Sequence, residues 1–164
     1  MFLTVIPAFL ICGKGFDRPA VALFFSLFYV AVSFSQVVAR PLSDRKGRHA
    51  LMVSGPLMAA SGLAVFPSFG QPWMCVLLTT AGLGLGVFCV SSMAFLNETV
   101  PDSLKGTVSG AYCLSWGAGY FLGPLTGGRM STLVGFKAVF PLLAVFLVLE
   151  AGTLALAEWR GRGV

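Results

Sequence analysis

Ala39-Arg40-Pro41-Leu42-Ser43-Asp44-Arg45-Lys46-Gly47-Arg48-His49 joins two apolar runs, 19–39 and 50–69. Each run is about 20 residues, enough to cross a hydrocarbon core of roughly 30 Å at about 1.5 Å per residue. The polar stretch between them reads as a tight loop at a membrane face. A carboxylate next to a guanidinium at the mouth of two helices can make charge-assisted hydrogen bonds with neighbouring helix ends. Such bonds would hold the mouth shut and break when it opens. The plainer alternative is that the basic residues only set topology.

Working outward, the composition agrees with a membrane protein. Hydrophobic residues make up 57% and charged residues 10% of the 164, where a globular protein carries roughly 25% charged. So few charges do not cover a water-exposed surface of this size. The 20 glycines and 15 phenylalanines suit helices packed closely in lipid. The net charge of +5 does not point to nucleic acid, because no soluble basic face is available to hold it. Cys12, Cys75, Cys89 and Cys113 lie in or at the end of apolar runs without C-x-x-C spacing, and read as buried thiols rather than metal ligands or disulfides. No cofactor is implied.

Six apolar segments emerge, at 1–12, 19–39, 50–69, 72–96, 107–133 and 136–159, forming one transmembrane domain. The last five have spanning length. The first reaches only about 18 Å and does not span alone. It lacks the basic start and cleavage site of a signal peptide, so it reads as part of a helix in a truncated or fragmentary chain. Lys and Arg on alternate sides divide unequally. Arg40, Arg45, Lys46, Arg48, Lys105, Arg160 and Arg162 fall on one side, with Lys14, Arg18, Arg129 and Lys137 on the other. The richer side, with the 40–49 loop, the 97–106 loop and the C-terminus, is expected in the cytoplasm. Trp73 and Trp159 sit at segment ends, where interfacial aromatics belong.

A second stretch carries Gly110, Gly119, Gly123, Pro124, Gly127 and Gly128. Gly119, Gly123 and Gly127 repeat every four residues, so they line one helix face and admit a neighbouring backbone. Pro124 removes a donor and bends that helix, which a membrane helix tolerates when neighbours satisfy the freed carbonyl. Gly82-Leu83-Gly84-Leu85-Gly86 fails as a phosphate loop, since no strand precedes it, and reads as a small-residue packing face.

The 39–49 loop resembles the G-x-L-a-D-R-x-G-R signature of the major facilitator superfamily, which joins the second and third helices of each six-helix half. Leu42, Asp44, Arg45, Gly47 and Arg48 match, while Arg40 stands at the signature's first glycine. The second stretch resembles the superfamily's antiporter signature, G-x8-G-x3-G-P-x2-G-G, at every fixed position. The resemblance covers nearly the whole chain and implies an all-α, polytopic six-helix half with its first helix truncated. It makes Asp44 and Arg48 gating residues rather than substrate ligands. Thr80, where N-terminal halves usually carry an Arg, resembles a C-terminal half. The antiporter signature is best known from N-terminal halves, so that alternative stays open.

Among polar groups inside the segments, Ser26, Tyr29, Ser33 and Gln36 fall on one helix face. That stripe is expected to face a protein interior or a water-filled cavity, unless the serines simply bond their own backbone. Ser109, Tyr112 and Trp116 are weaker cavity candidates. Glu150 is the only acid deep in an apolar segment, where a charged carboxylate costs roughly 2.5–3.5 kcal/mol on insertion scales. It is a candidate proton carrier, or a neutral group hydrogen-bonded between helices. His49 reads as a loop residue. Asn97-Glu98-Thr99 fits a glycosylation acceptor but lies on the cytoplasmic side, and Asp102 and Lys105 read as caps of the fifth segment.

The leading expectation is half of a secondary transporter in the cytoplasmic membrane, moving a small molecule by alternating access against a second six-helix half. Proton-coupled efflux is implied by the antiporter-like signature. The alternative is a fragment or assembly partner with no transport of its own. An intramembrane enzyme lacks convergent catalytic groups, and a channel lacks a charge ring or polar filter.

Overall fold

The computed structural model describes the backbone of residues 2–161 and the side chains of residues 5–159. Six helices follow one another: α1 (Phe2–Ala8), continued by a π-helical turn (Phe9–Gly13), α2 (Arg18–Lys46), α3 (Arg48–Val65), α4 (Gln71–Thr99), α5 (Lys105–Val134) and α6 (Phe136–Gly161). Short 3₁₀ turns precede α4 and α5, and there is no strand among the described residues. The all-α, polytopic expectation holds. Among the described residues, four spans are both long and apolar enough to cross a membrane: Arg18–Lys46, Arg48–Ser68, Gln71–Thr99 and Phe136–Trp159. At 30 residues α5 has the length, but its glycines, serines and threonines dilute its apolar content.

The 40–49 stretch is not a loop. Helix α2 continues through Pro41 and Asp44 to Lys46, and α3 starts at Arg48. Its 29 residues span about 43 Å, so the last turns stand beyond a hydrocarbon core of roughly 30 Å, where charged side chains meet water. The whole reversal falls on Gly47, at φ +88° and ψ 140°, a region where only glycine is at ease. This is the physical reason for a glycine at that place in the signature. His49 lies in the first turn of α3 and stacks edge-on against Phe95 at 4.5 Å between ring centres.

The same device recurs between α5 and α6, where Gly135 adopts φ +79° and ψ 153°. The chain is accordingly two three-helix units, α1–α3 and α4–α6. Helix α1 runs toward the end of the bundle opposite the basic residues and α4 runs away from that end, the inverted arrangement common in secondary transporters. Helix α2 packs on α4 as α1 packs on α5, and α3 lies against α4 and α6.

Close helix contact is concentrated on α4. A Cβ on Gly82 would stand 2.8 Å from the Phe28 carbonyl of α2, and one on Gly84 would stand 2.5 Å from the Gly55 carbonyl of α3. Gly86 approaches the Val32 carbonyl in the same way. The 82–86 glycines therefore serve packing, as their apolar setting implies, on two faces at once. At the end opposite the basic one, Phe9, Phe66 and Phe140 interlock at 5.0–6.2 Å between ring centres. Ile6, Leu10, Met74 and Leu78 pack around them in the same buried cluster.

The antiporter-like glycines are covered unevenly. Gly123 and Gly127 are buried, on the helix against which α1 packs. Gly110, Gly119 and Gly128 have nothing within 4 Å of a built Cβ among the described residues, so no neighbouring backbone uses that part of the face here. The thiols also differ from expectation. Cys12 and Cys113 are exposed and Cys75 and Cys89 half-buried, all of them unpaired, because the apolar outer surfaces of membrane helices are covered by lipid rather than by protein.

Candidate functional site

The basic end of the bundle is organised around Arg48, held by Gly47 at the first position of α3. Its Nη2 atom lies 3.1 Å from Asp44 Oδ1, one turn earlier across the glycine. The same nitrogen contacts Glu98 Oε1, near the end of α4. One guanidinium thus ties the end of α2, the start of α3 and the end of α4. Its side chain is 23% exposed, against 64% for Asp44 and 58% for Glu98. Water screens the acids, so the cluster adds little permanent stability.

Asp44 and Arg48, singled out in the sequence, are therefore brought together, with Gly47 as their hinge. Arg45 is exposed and has no ion pair among the described residues. Glu98 was missed because Asn97-Glu98-Thr99 reads as a glycosylation acceptor in a loop. The available signal was an acid just past an apolar run, on the same side as four basic residues. Asp102 and Lys105 pair with each other at 2.6 Å without a capping hydrogen bond at the start of α5.

Above this cluster lies a vestibule of about 680 Å³, whose wall includes Gln36, Arg40, Asp44, Arg48, Glu98 and Lys105. Deeper in the bundle is a second cavity of about 800 Å³, walled by Tyr29 and Gln36 from α2, Trp116 and Tyr120 from α5, and Glu150 from α6 among others. Gln36, Cys89 and Tyr112 belong to both walls, one each from α2, α4 and α5, and form the neck between them. Tyr112 is held there by the Ser92 hydroxyl at 2.8 Å. Tyr112, Trp116 and Tyr120 repeat every four residues and run as a ladder along α5, with ring centres 6.3 and 6.0 Å apart.

The polar stripe of α2 divides. Tyr29 and Gln36 face the inner cavity. Ser26 instead donates to the Ala22 carbonyl of its own helix at 2.9 Å, and Ser33 is exposed outside both walls. Glu150 is half-buried on the cavity wall, and its carboxyl has no hydrogen-bond partner among the described residues, so the interhelical hydrogen bond considered for it does not form here. Tyr120 was not singled out in the sequence, although its spacing from Trp116 offered the signal. The inner cavity is apolar and aromatic, of a size that takes a drug-sized organic molecule. Among the described residues no group of three or more metal-ligating side chains occurs.

A helical membrane bundle built from two inverted three-helix units is an architecture that secondary transporters share. The profile of the Major Facilitator Superfamily matches residues 1–161, and the chain belongs to that family. It is 31% identical over 125 residues to a multidrug resistance protein, MdtG, of Dickeya zeae, covering 74% of this chain and 30% of that protein. It is 31% identical over 113 residues to a multi-drug resistance efflux pump, PmrA, of Streptococcus pneumoniae, covering 67% and 28%. Against a 4-hydroxybenzoate transporter, PcaK, of Pseudomonas putida, identity is 26% over 148 residues, covering 82% and 32%. The chain therefore spans about a third of the length of these relatives.

Proposed function

We propose that this chain works as one six-helix half of a secondary transporter that expels small organic molecules across the cytoplasmic membrane. The observation that carries this reading is the Arg48 cluster, which joins the ends of α2, α3 and α4 at a single mouth. Closed, it ties α4 to the α2–α3 hairpin; broken, it lets the helix ends separate and opens the vestibule toward the neck and inner cavity. The excess of Lys and Arg at this end supports a cytoplasmic orientation.

Alternating access requires a second half, in the same polypeptide or another chain. The relatives, about two and a half times as long, support this. So does the open part of the α5 glycine face at Gly110 and Gly119, where a further helix has room to lie. Efflux is supported by the multidrug relatives, and proton coupling by the antiporter-like glycines and by Glu150 on the cavity wall. The C-terminal half remains the favoured assignment, on Thr80. In the complete protein, Asp44→Asn is expected to abolish efflux of a fluorescent dye while expression is retained. Unchanged efflux overturns the gating role.

A further inference from the structure

The Arg48 cluster carries an unbalanced charge. Asp44 and Glu98 converge on one nitrogen of one guanidinium, so two carboxylates share a single cation and the trio has a net charge of −1. Like charges brought this close repel unless a second cation faces them. Among the described residues, the other basic groups at this end narrow the choice. Lys105 is taken by Asp102 at 2.6 Å. Arg45 and Lys46 are exposed at the end of α2 and lie outside the vestibule wall. Arg40 lies on that wall with Asp44, Arg48 and Glu98, exposed and with no ion pair among the described residues.

Arg40 precedes Asp44 by four residues of continuous helix, so the two side chains are neighbours one turn apart. A guanidinium there is one helical turn from Asp44 and shares the vestibule wall with Asp44 and Glu98. This position departs from the superfamily signature, which has glycine here, so the family resemblance supplies no role for it.

We propose that Arg40 is the second cation of the gate, a positioning residue whose charge allows Asp44 and Glu98 to converge on Arg48. The proposal rests on the gating role of the Arg48 cluster. With Arg40 present the four groups sum to zero. Without it the surplus carboxylate charge pushes Glu98 away from Arg48, and α4 parts from the α2–α3 hairpin.

The test uses the complete protein in phosphatidylcholine vesicles, with Cys12, Cys75 and Cys113 replaced by serine. Cys89, on the neck below the vestibule, then reports opening through its rate of labelling by a membrane-impermeant maleimide applied from the basic face. Glu98→Gln is expected to raise that rate. Arg40→Gln is expected to raise it about three-fold, the scale set by a solvent-screened ion pair. Arg40→Lys should stay at the wild-type rate, since it keeps the charge. Adding Glu98→Gln to Arg40→Gln should raise the rate no further than Glu98→Gln alone, because Arg40 acts only through the Arg48–Glu98 tie. A loss of helix packing would instead add to the Glu98→Gln effect. If Glu98→Gln leaves labelling unchanged, the gating role itself fails. If Glu98→Gln raises labelling and Arg40→Gln does not, the role of Arg40 alone is overturned. An Arg40→Gln effect seen only in vesicles containing phosphatidylglycerol also overturns it, and identifies Arg40 as a contact for an anionic lipid headgroup.

Discussion

Replacing Gly84 by alanine tests the central contact of the fold. A Cβ at this position would stand 2.5 Å from the Gly55 carbonyl oxygen, 2.8 Å from the Ala59 nitrogen and 3.2 Å from Met58 Cβ. The two nearest atoms are backbone, so no side-chain rotation relieves the clash, and α3 and α4 must move apart along their shared seam. Overpacking of this kind costs about 1–3 kcal/mol, equivalent to a roughly 5- to 150-fold shift in the folding equilibrium. Gly119→Ala is the matched control, because nothing lies within 4 Å of its Cβ position among the described residues. Its cost is expected to be below about 0.5 kcal/mol, like that of a change that touches no neighbour. The assay is unfolding of the purified protein in mixed detergent micelles by increasing sodium dodecyl sulfate, followed by tryptophan fluorescence. A Gly84→Ala variant as stable as wild type refutes the close α3–α4 approach. A Gly119→Ala variant as costly as Gly84→Ala shows that a further helix covers α5.

Two further outcomes follow from the geometry. Gly47→Ala should cost about 1–3 kcal/mol, because the residue sits at φ +88° with open space around it. The cost is then conformational, and the same micelle unfolding measures it; a change below 0.5 kcal/mol would show that the hairpin can turn in another way. Glu150→Gln, if Glu150 carries the coupled proton, should reduce dye efflux driven by an imposed pH gradient about ten-fold or more while leaving expression intact. Equal efflux with and without the carboxylate removes Glu150 from the coupling path.

Much of the architecture is legible in the residues because lipid imposes simple rules. Unpaired backbone is excluded from hydrocarbon, so apolar runs of spanning length become helices and short polar stretches become turns. The runs at 19–39, 50–69, 72–96 and 136–159 correspond to α2, α3, α4 and α6; all four helices run past the apolar stretch at their basic ends, while α3 stops at Val65. The extensions were hidden because helix ends beyond the hydrocarbon are polar, and polarity reads as loop. That is why Asp44 and Glu98 looked like loop residues and the partner of Arg48 went unnoticed.

The glycines show where local sequence stops being informative. The 82–86 and 119–127 patterns look alike as small-residue faces, yet among the described residues the first is clasped by the backbones of α2 and α3 while Gly119 meets open space. A glycine face states that close approach is permitted; which helix arrives depends on the order in which six helices assemble. The same limit applies to the polar stripe of α2, where period alone put Ser26, Tyr29, Ser33 and Gln36 together while the cavity took only Tyr29 and Gln36.

Composition and periodicity by themselves determined a helical membrane protein, a tight reversal within 39–49 and the presence of a charged mouth, because each follows from the cost of polar groups in lipid. Tertiary structure alone decided that Glu98 shares Arg48 with Asp44, that α4 is the clasped centre, and that Gln36, Cys89 and Tyr112 meet at one neck. These are contacts between residues 23 to 76 apart in the chain, and no local rule of spacing specifies them.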